Sequence, residues 1–157
     1  MSRSGAMTER TRTKTMNVAR ISGVVAALLL LGSVDALADG AKRDPNAQLY
    51  IGWPNNGEVI RSTNVRVWFG LRNMGVAPAG TDLPNVGHHH IIVDAEIPSA
   101  AEPIPSNEHY LHFGKGQTEA VIPLTKGVHT LQLNFADKDH AQFDPPLVSK
   151  KITITVK

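Results

Sequence analysis

NVRVWFGL, residues 64–71, alternates strictly: Val65, Val67, Phe69 and Leu71 fall on one side of an extended chain, Arg66 and Trp68 on the other. Successive side chains of a strand point to opposite faces, so this is the pattern of a strand with one face against a core. The repeat returns in HTLQLNF, 129–135, where Leu131, Leu133 and Phe135 alternate with Thr130, Gln132 and Asn134. It returns again in KITITVK, 151–157, with Ile152, Ile154 and Val156 on one side and Thr153 and Thr155 on the other. No stretch beyond residue 40 sustains a 3.6-residue period for three turns. The chain therefore predicts strands over 48–53, 64–71, 88–94, 109–113, 117–123, 129–136 and 151–156, punctuated by Gly and Pro. Short strands with turn signals between them predict an immunoglobulin-like antiparallel β-sandwich of about seven strands, with a small barrel as the rival. Three connections are long, 72–87, 95–108 and 137–150, and long loops in a compact domain are often functional.

The opening of the chain has a different character. Arg10, Arg12, Lys14 and Arg20 precede an uncharged apolar run over 21–31, and Ala36-Leu37-Ala38 supplies small residues at the A-x-A spacing. That combination predicts a secretory signal peptide over 1–38, cleaved after Ala38 and leaving one domain over 39–157 in a secreted or periplasmic protein. The apolar run falls short of the roughly 20 residues a spanning helix needs, so no membrane span is expected in the mature chain.

This division changes the charge argument. The whole chain has 16 Lys and Arg against 14 Asp and Glu, but 1–38 hold five of the basic residues and two of the acidic ones. Residues 39–157 then carry 11 against 12. A near-neutral domain gives no support for nucleic-acid or membrane-surface binding, and no nucleic-acid partner is expected. Cysteine is absent. Disulfides and thiolate chemistry are excluded, and any transition-metal site must be built from His, carboxylate or Met.

Histidine is where chemistry gathers. GHHHIIVD, 87–94, places three imidazoles at the start of a strand, internal to the chain and so not an affinity tag. In an extended strand His88 and His90 share one face, about 7 Å apart at roughly 3.3 Å rise per residue, while His89 joins Ile91 and Val93 on the other. His89 is expected in the core. If strand direction alternates, the loops 72–87 and 137–150 and the GKG turn at 114–116 gather at one end of the sandwich. That end collects His88, His90, His112 and His140, which become candidate ligands for copper or zinc, with nickel also open to imidazole. The connections 54–63, 95–108 and 124–128 gather at the other end, with His109 expected at the surface and His129 tying a corner. Asp137 and Asp139 are candidates as carboxylate ligands or as partners fixing an imidazole tautomer.

Other motifs are thin. No G-x-S-x-G, H-E-x-x-H or G-x-x-x-x-G-K-[ST] occurs, and GKGQTE has no helix after it to hold a phosphate. The preferred function is binding of a transition metal, copper or zinc, in the cell envelope. The alternative is a metal-independent module for an envelope polysaccharide or protein partner, using the same loops. A metal-dependent hydrolase with Asp139 as base ranks last, because nothing in the chain demands turnover.

GVAPAGTDLPNVGHHHIIVD, HFGKGQTE, GVHTLQL and DPPLVSKKITITV together resemble the exported bacterial domain of unknown function 4399, across residues 49 to 156. The resemblance implies a secreted single-domain protein and no particular activity. Members typically carry a second histidine three residues after the position of His140, where this chain has Phe143.

Overall fold

The computed structural model describes residues 41–100 and 102–157, so the predicted leader over 1–38 lies outside the described residues. Ten strands follow in order: β1 Gln48–Trp53, β2 Val59–Ile60, β3 Asn64–Arg72, β4 Gly75–Val76, β5 Val86–Val93, β6 Tyr110–Phe113, β7 Glu119–Pro123, β8 Gly127–Ala136, β9 Gln142–Val148 and β10 Ile152–Val156. Among the described residues no helix is long and apolar enough to cross a membrane.

The strands form two sheets. One has the order β1-β3-β7 and is antiparallel throughout. The other runs β2-β10-β8-β5-β4, with β6 also on β5 and β9 also on β8. Leu131 of β8 pairs with Val93 on one edge and Ile152 on the other, so β10 and then β9 follow each other along the edge opposite β5. After β1 the chain crosses between sheets, and β2 adds to β10 as a parallel pair.

The alternation read from the sequence decides the packing. Val65, Val67 and Phe69 of β3 meet Leu131, Leu133 and Phe135 of β8 and Ile152, Ile154 and Val156 of β10 in one buried cluster. Each such side chain contributes about 1.5–3 kcal/mol when removed from water. The fold is the expected all-β sandwich.

Several strands depart from the sequence pattern: the short β2 and β4 lie within predicted connections, and β8 begins two residues early, at Gly127. Residues 137–150, predicted as one loop, contain β9, which pairs Phe135 with Leu147 and Asn134 with Val148. Pro145 and Pro146 hid it, because proline cannot donate to a ladder and argues against a central strand. At the sheet edge that objection lapses. β5 also begins two residues earlier than predicted, at Val86.

At the end away from the triplet, Asp94 follows β5 with φ of 51°, a left-handed conformation that Asp tolerates better than most residues. Its Oδ1 accepts the Thr130 amide at 2.7 Å and its Oδ2 accepts His129 Nδ1–H at 2.7 Å. His129 Nε2 faces the Thr125 carbonyl at 2.9 Å. Both ring nitrogens thus meet oxygens that can accept, which satisfies the doubly protonated imidazolium. Burial opposes that charge, but the Asp94 carboxylate and the Thr125 carbonyl outweigh it and raise the His129 pKa. The corner joins β5 to β8 at the end opposite the site. Asp94→Ala removes both acceptors and leaves a strained backbone, and is expected to lower stability by about 1–3 kcal/mol. Denaturant unfolding at pH 7 checks this; a variant as stable as wild type refutes the corner's role.

Candidate metal centre

β5 supplies two of the four imidazoles that come together. Its alternation sends His89, Ile91 and Val93 inward and His88 and His90 to the outer face. His89 donates Nδ1–H to the Gln117 carbonyl at 3.1 Å, and its ring lies between Phe69 and Phe135, at 5.0 and 4.9 Å between centroids. It is a core residue. His112 sits on β6 directly across from His90, a neighbour fixed by register rather than by loop geometry. His140 arrives from the turn between β8 and β9.

The four rings form one cluster. His88 lies 4.9 Å from His90, 5.0 Å from His112 and 4.9 Å from His140 between centroids. His112 lies 5.0 Å from His90 and 4.7 Å from His140, and His90 lies 5.9 Å from His140. The Nε2 atoms face one another: His88 to His90 at 3.1 Å and His112 to His140 at 3.2 Å. Ligand nitrogens of His88, His90 and His112 all lie within 4.8 Å of one another, so these three could hold a metal ion. His140 reaches that group through His112.

Gly114 makes room for this. A Cβ there would stand 2.3 Å from His112 Nε2, so the imidazole occupies space that any other residue would fill. The backbone then locks the loops together. Ala79 donates to the Gly114 carbonyl and Gly80 to the Lys138 carbonyl, each at 3.0 Å, tying 72–87 to both the 114–116 turn and the turn that carries His140.

The carboxylates do something other than expected. Asp137 Oδ1 accepts the amides of Asp139 and Ala141, both at 2.9 Å, and Asp139 Oδ2 accepts Lys138 Nζ at 2.7 Å. Asp137 shapes the turn that presents His140, whose φ is 65°; it does so through backbone, because its short side chain reaches the turn's own N–H groups first. Of the two candidate carboxylates, Asp137 thus bonds its own turn and Asp139 bonds Lys138.

The connection 95–108 is a second correction. Alternating strand direction placed it at the far end, yet Ile104 donates to the His140 carbonyl at 2.9 Å and the Pro98 carbonyl accepts Gln142 Nε2–H at 2.9 Å. Its length lets it double back to the histidine end. On the outer face of β5, His88 and His90 are both 0 % exposed. His112 stays on the solvent side.

Burial and crowding decide the charge state. Loss of water, then the neighbouring imidazoles, lower the His88 pKa to about 4 and the His90 pKa to about 3. Burial likewise lowers His112, with His140 adding to it, and takes His89 to about 4. At neutral pH His88, His90 and His112 are therefore uncharged, with ligand nitrogens within 4.8 Å of one another.

The family comparison bears on this region. The family model for a domain of unknown function, DUF4399, matches residues 67–157. The chain belongs to that family. All four clustered histidines fall within the matched DUF4399 region. No curated protein and no solved structure matches the chain. Phe143, where the family resemblance leads one to expect a second histidine, points into the core and stacks on Phe135 at 6.1 Å between centroids. In this chain position 143 faces away from the cluster.

Three residues of the site were not singled out in the sequence: Gly114, Asn134 and Gln142. The outer face of β8 read as a solvent face because its residues are polar. The one signal was Asn134 itself, since Asn is depleted from strands unless its amide has a use.

The lowered pKa values set an acid limit on stability. In the folded chain His88, His89 and His90 stay neutral well below pH 6.5, while the unfolded chain protonates them. Their contribution is complete above about pH 6.5 and is lost as pH falls toward 4, by up to about 1.4 kcal/mol per pH unit for each histidine. His129, raised, acts in the opposite sense and loses its contribution as pH rises through its folded pKa. Thermal melts of metal-free protein from pH 7.5 to 4.5 are expected to fall steeply, and His90→Gln to fall less steeply. Parallel slopes refute the assignment.

Proposed function

We propose that the chain is an exported binding protein for a transition metal ion, copper or zinc, held in the cell envelope by Nε2 of His88, His90, His112 and His140. One observation carries the proposal: four imidazoles from two strands and a turn form one cluster, with Nε2 atoms facing in two pairs, His88 with His90 and His112 with His140. A tetrahedral zinc site with Zn–N of 2.0–2.1 Å has neighbouring nitrogens about 3.3–3.4 Å apart. The two Nε2 separations, 3.1 and 3.2 Å, are close to that edge. The chemistry of the donors fits as well, because neutral imidazole suits both zinc and copper and no thiolate competes. Export rests on the leader predicted over 1–38.

A hydrolytic role has less support. Asp139, the carboxylate assigned as base, is engaged with Lys138. The proposal is therefore capture or sensing of the ion.

Metal content of the protein as purified, and thermal melts with and without Cu²⁺ and Zn²⁺, test the proposal directly. Binding at 100 times the dissociation constant adds about 2.7 kcal/mol to the native state. The shift is expected in wild type and absent in His88→Ala/His90→Ala. No shift and no bound metal in wild type would return the cluster to ordering loops for an envelope ligand. Gly114→Ala gives a milder test: with His112 displaced, affinity is expected to fall roughly 10–100-fold, the range for losing a contact that orients a ligand. Unchanged zinc affinity by calorimetry removes His112 from the ligand set.

A further inference from the structure

We infer that the groove between β1 and β9 is a second binding site, for an acidic polysaccharide whose sugars carry carboxylates. It stands apart from the metal centre, because none of the four clustered histidines lines the groove. Charge, donor geometry and an aromatic surface carry the inference together.

The groove has a volume of about 660 Å³, within the roughly 300–1,000 Å³ of ligand sites. Leu49 and Leu147, both buried, supply apolar lining. Arg43, Arg72 and Lys150 line it as well, and among the described residues no Asp or Glu does. None of these three cations has a carboxylate within ion-pair distance among the described residues. Positive charges gathered in a cleft with low-dielectric walls raise the local concentration of anions.

Arg43 is held in place before any ligand arrives. Its Nε donates to the Pro145 carbonyl at 2.8 Å and its Nη1 to the Asp44 carbonyl at 3.1 Å. Neutral carbonyls orient the guanidinium without cancelling its charge, and two of its five N–H hydrogens are used. A guanidinium suits a carboxylate, which it can meet with two parallel hydrogen bonds.

The aromatic surface points to sugar. Tyr50 lies across Gly70 of β3, where a Cβ would collide with three atoms of the ring. Glycine thus lets the ring lie against the sheet, and Tyr50 stays 41 % exposed. The Arg72 guanidinium carbon stands 5.6 Å from the centre of that ring. Trp68, 49 % exposed, precedes Gly70 by two residues on β3 and so shares its face, about 7 Å along the strand. Two exposed rings in succession offer their negative π-faces to the C–H groups of sugar rings, and the cations beside them meet the carboxylates. A linear polymer engages both features, whereas a small anion needs only the cations. A peptide strand is served less well, since Pro146 in the β9 wall has no N–H to donate.

Isothermal titration of the chelator-treated protein with tetragalacturonate and tetramannuronate tests this, beside methyl-esterified tetragalacturonate and polyglutamate. At least one uronate is expected to bind, with its affinity lost in the esterified form. Arg72→Gln/Lys150→Gln is expected to weaken uronate binding roughly tenfold or more, the scale of losing hydrogen bonds to a charged group. Trp68→Ala is expected to weaken it as well. All three positions are exposed, and an unchanged thermal melt shows each variant folded. Wild type that binds neither uronate overturns the inference, as does affinity unchanged in Arg72→Gln/Lys150→Gln. Polyglutamate bound as tightly as the uronates, or uronate binding indifferent to Trp68→Ala, overturns it in favour of a site for acidic peptides or simple anions.

Discussion

The two-residue repeat of β5 is the constraint on which the rest depends. One register places Ile91 and Val93 against Leu133 and Leu131 of β8 and, in the same stroke, His90 beside Asn134 and across from His112. A slip of one residue would exchange the faces, driving His88 and His90 into the sandwich and Ile91 to the outside. The apolar half of the strand therefore fixes the polar half. This matters energetically because the polar half is costly: His88 Nδ1 and His90 Nδ1 are buried without partners, and an unsatisfied buried polar atom costs about 1–3 kcal/mol. Burial of the core side chains on the opposite face offsets that cost. The imidazoles ride on a strand that would hold its position without them.

The loops add precision where the sheets stop. His88, His90 and His112 belong to strands, but His140 does not, and a single turn would leave it free to swing. Its position instead follows from several bonds to backbone: Asp137 folds the turn, Ile104 holds the His140 carbonyl, and Gly80 holds the neighbouring Lys138 carbonyl. Backbone hydrogen bonds between three separate connections make this end one interlocked layer. Function placed on a loop here has the rigidity of a scaffold.

Much of this was legible in the chain and some was not, for physical reasons. Strict alternation gave β1 its bounds and β3 nearly its own, because a half-buried strand has no other way to order its side chains. The parity of the triplet separated His89 from His88 and His90 for the same reason. What periodicity cannot encode is a covering segment. Residues 95–108 carry no repeat, so nothing local tells that Ile104 ends beside His140. Proline concealed β9, since Asp144-Pro145-Pro146 reads as a loop unless the strand is known to lie at an edge. For the carboxylates near His140 the sequence could not show that Asp137 Oδ1 accepts the amides of its own turn.

The division of the cluster into a buried pair and an accessible pair has a consequence for the charge of an ion held there. Four neutral imidazoles leave the whole charge of a cation uncompensated, and a bare charge in a fully buried pocket is strongly penalised. A carboxylate ligand would relieve this, yet Asp137 and Asp139 are committed to the turn and to Lys138. Relief would have to come from water instead. His112 stands on the solvent side while His88 and His90 close the inner side, so an ion among them is screened from one direction and enclosed from the other. His112 is exposed and His140 half-buried, so access to the cluster from solvent would run past these two.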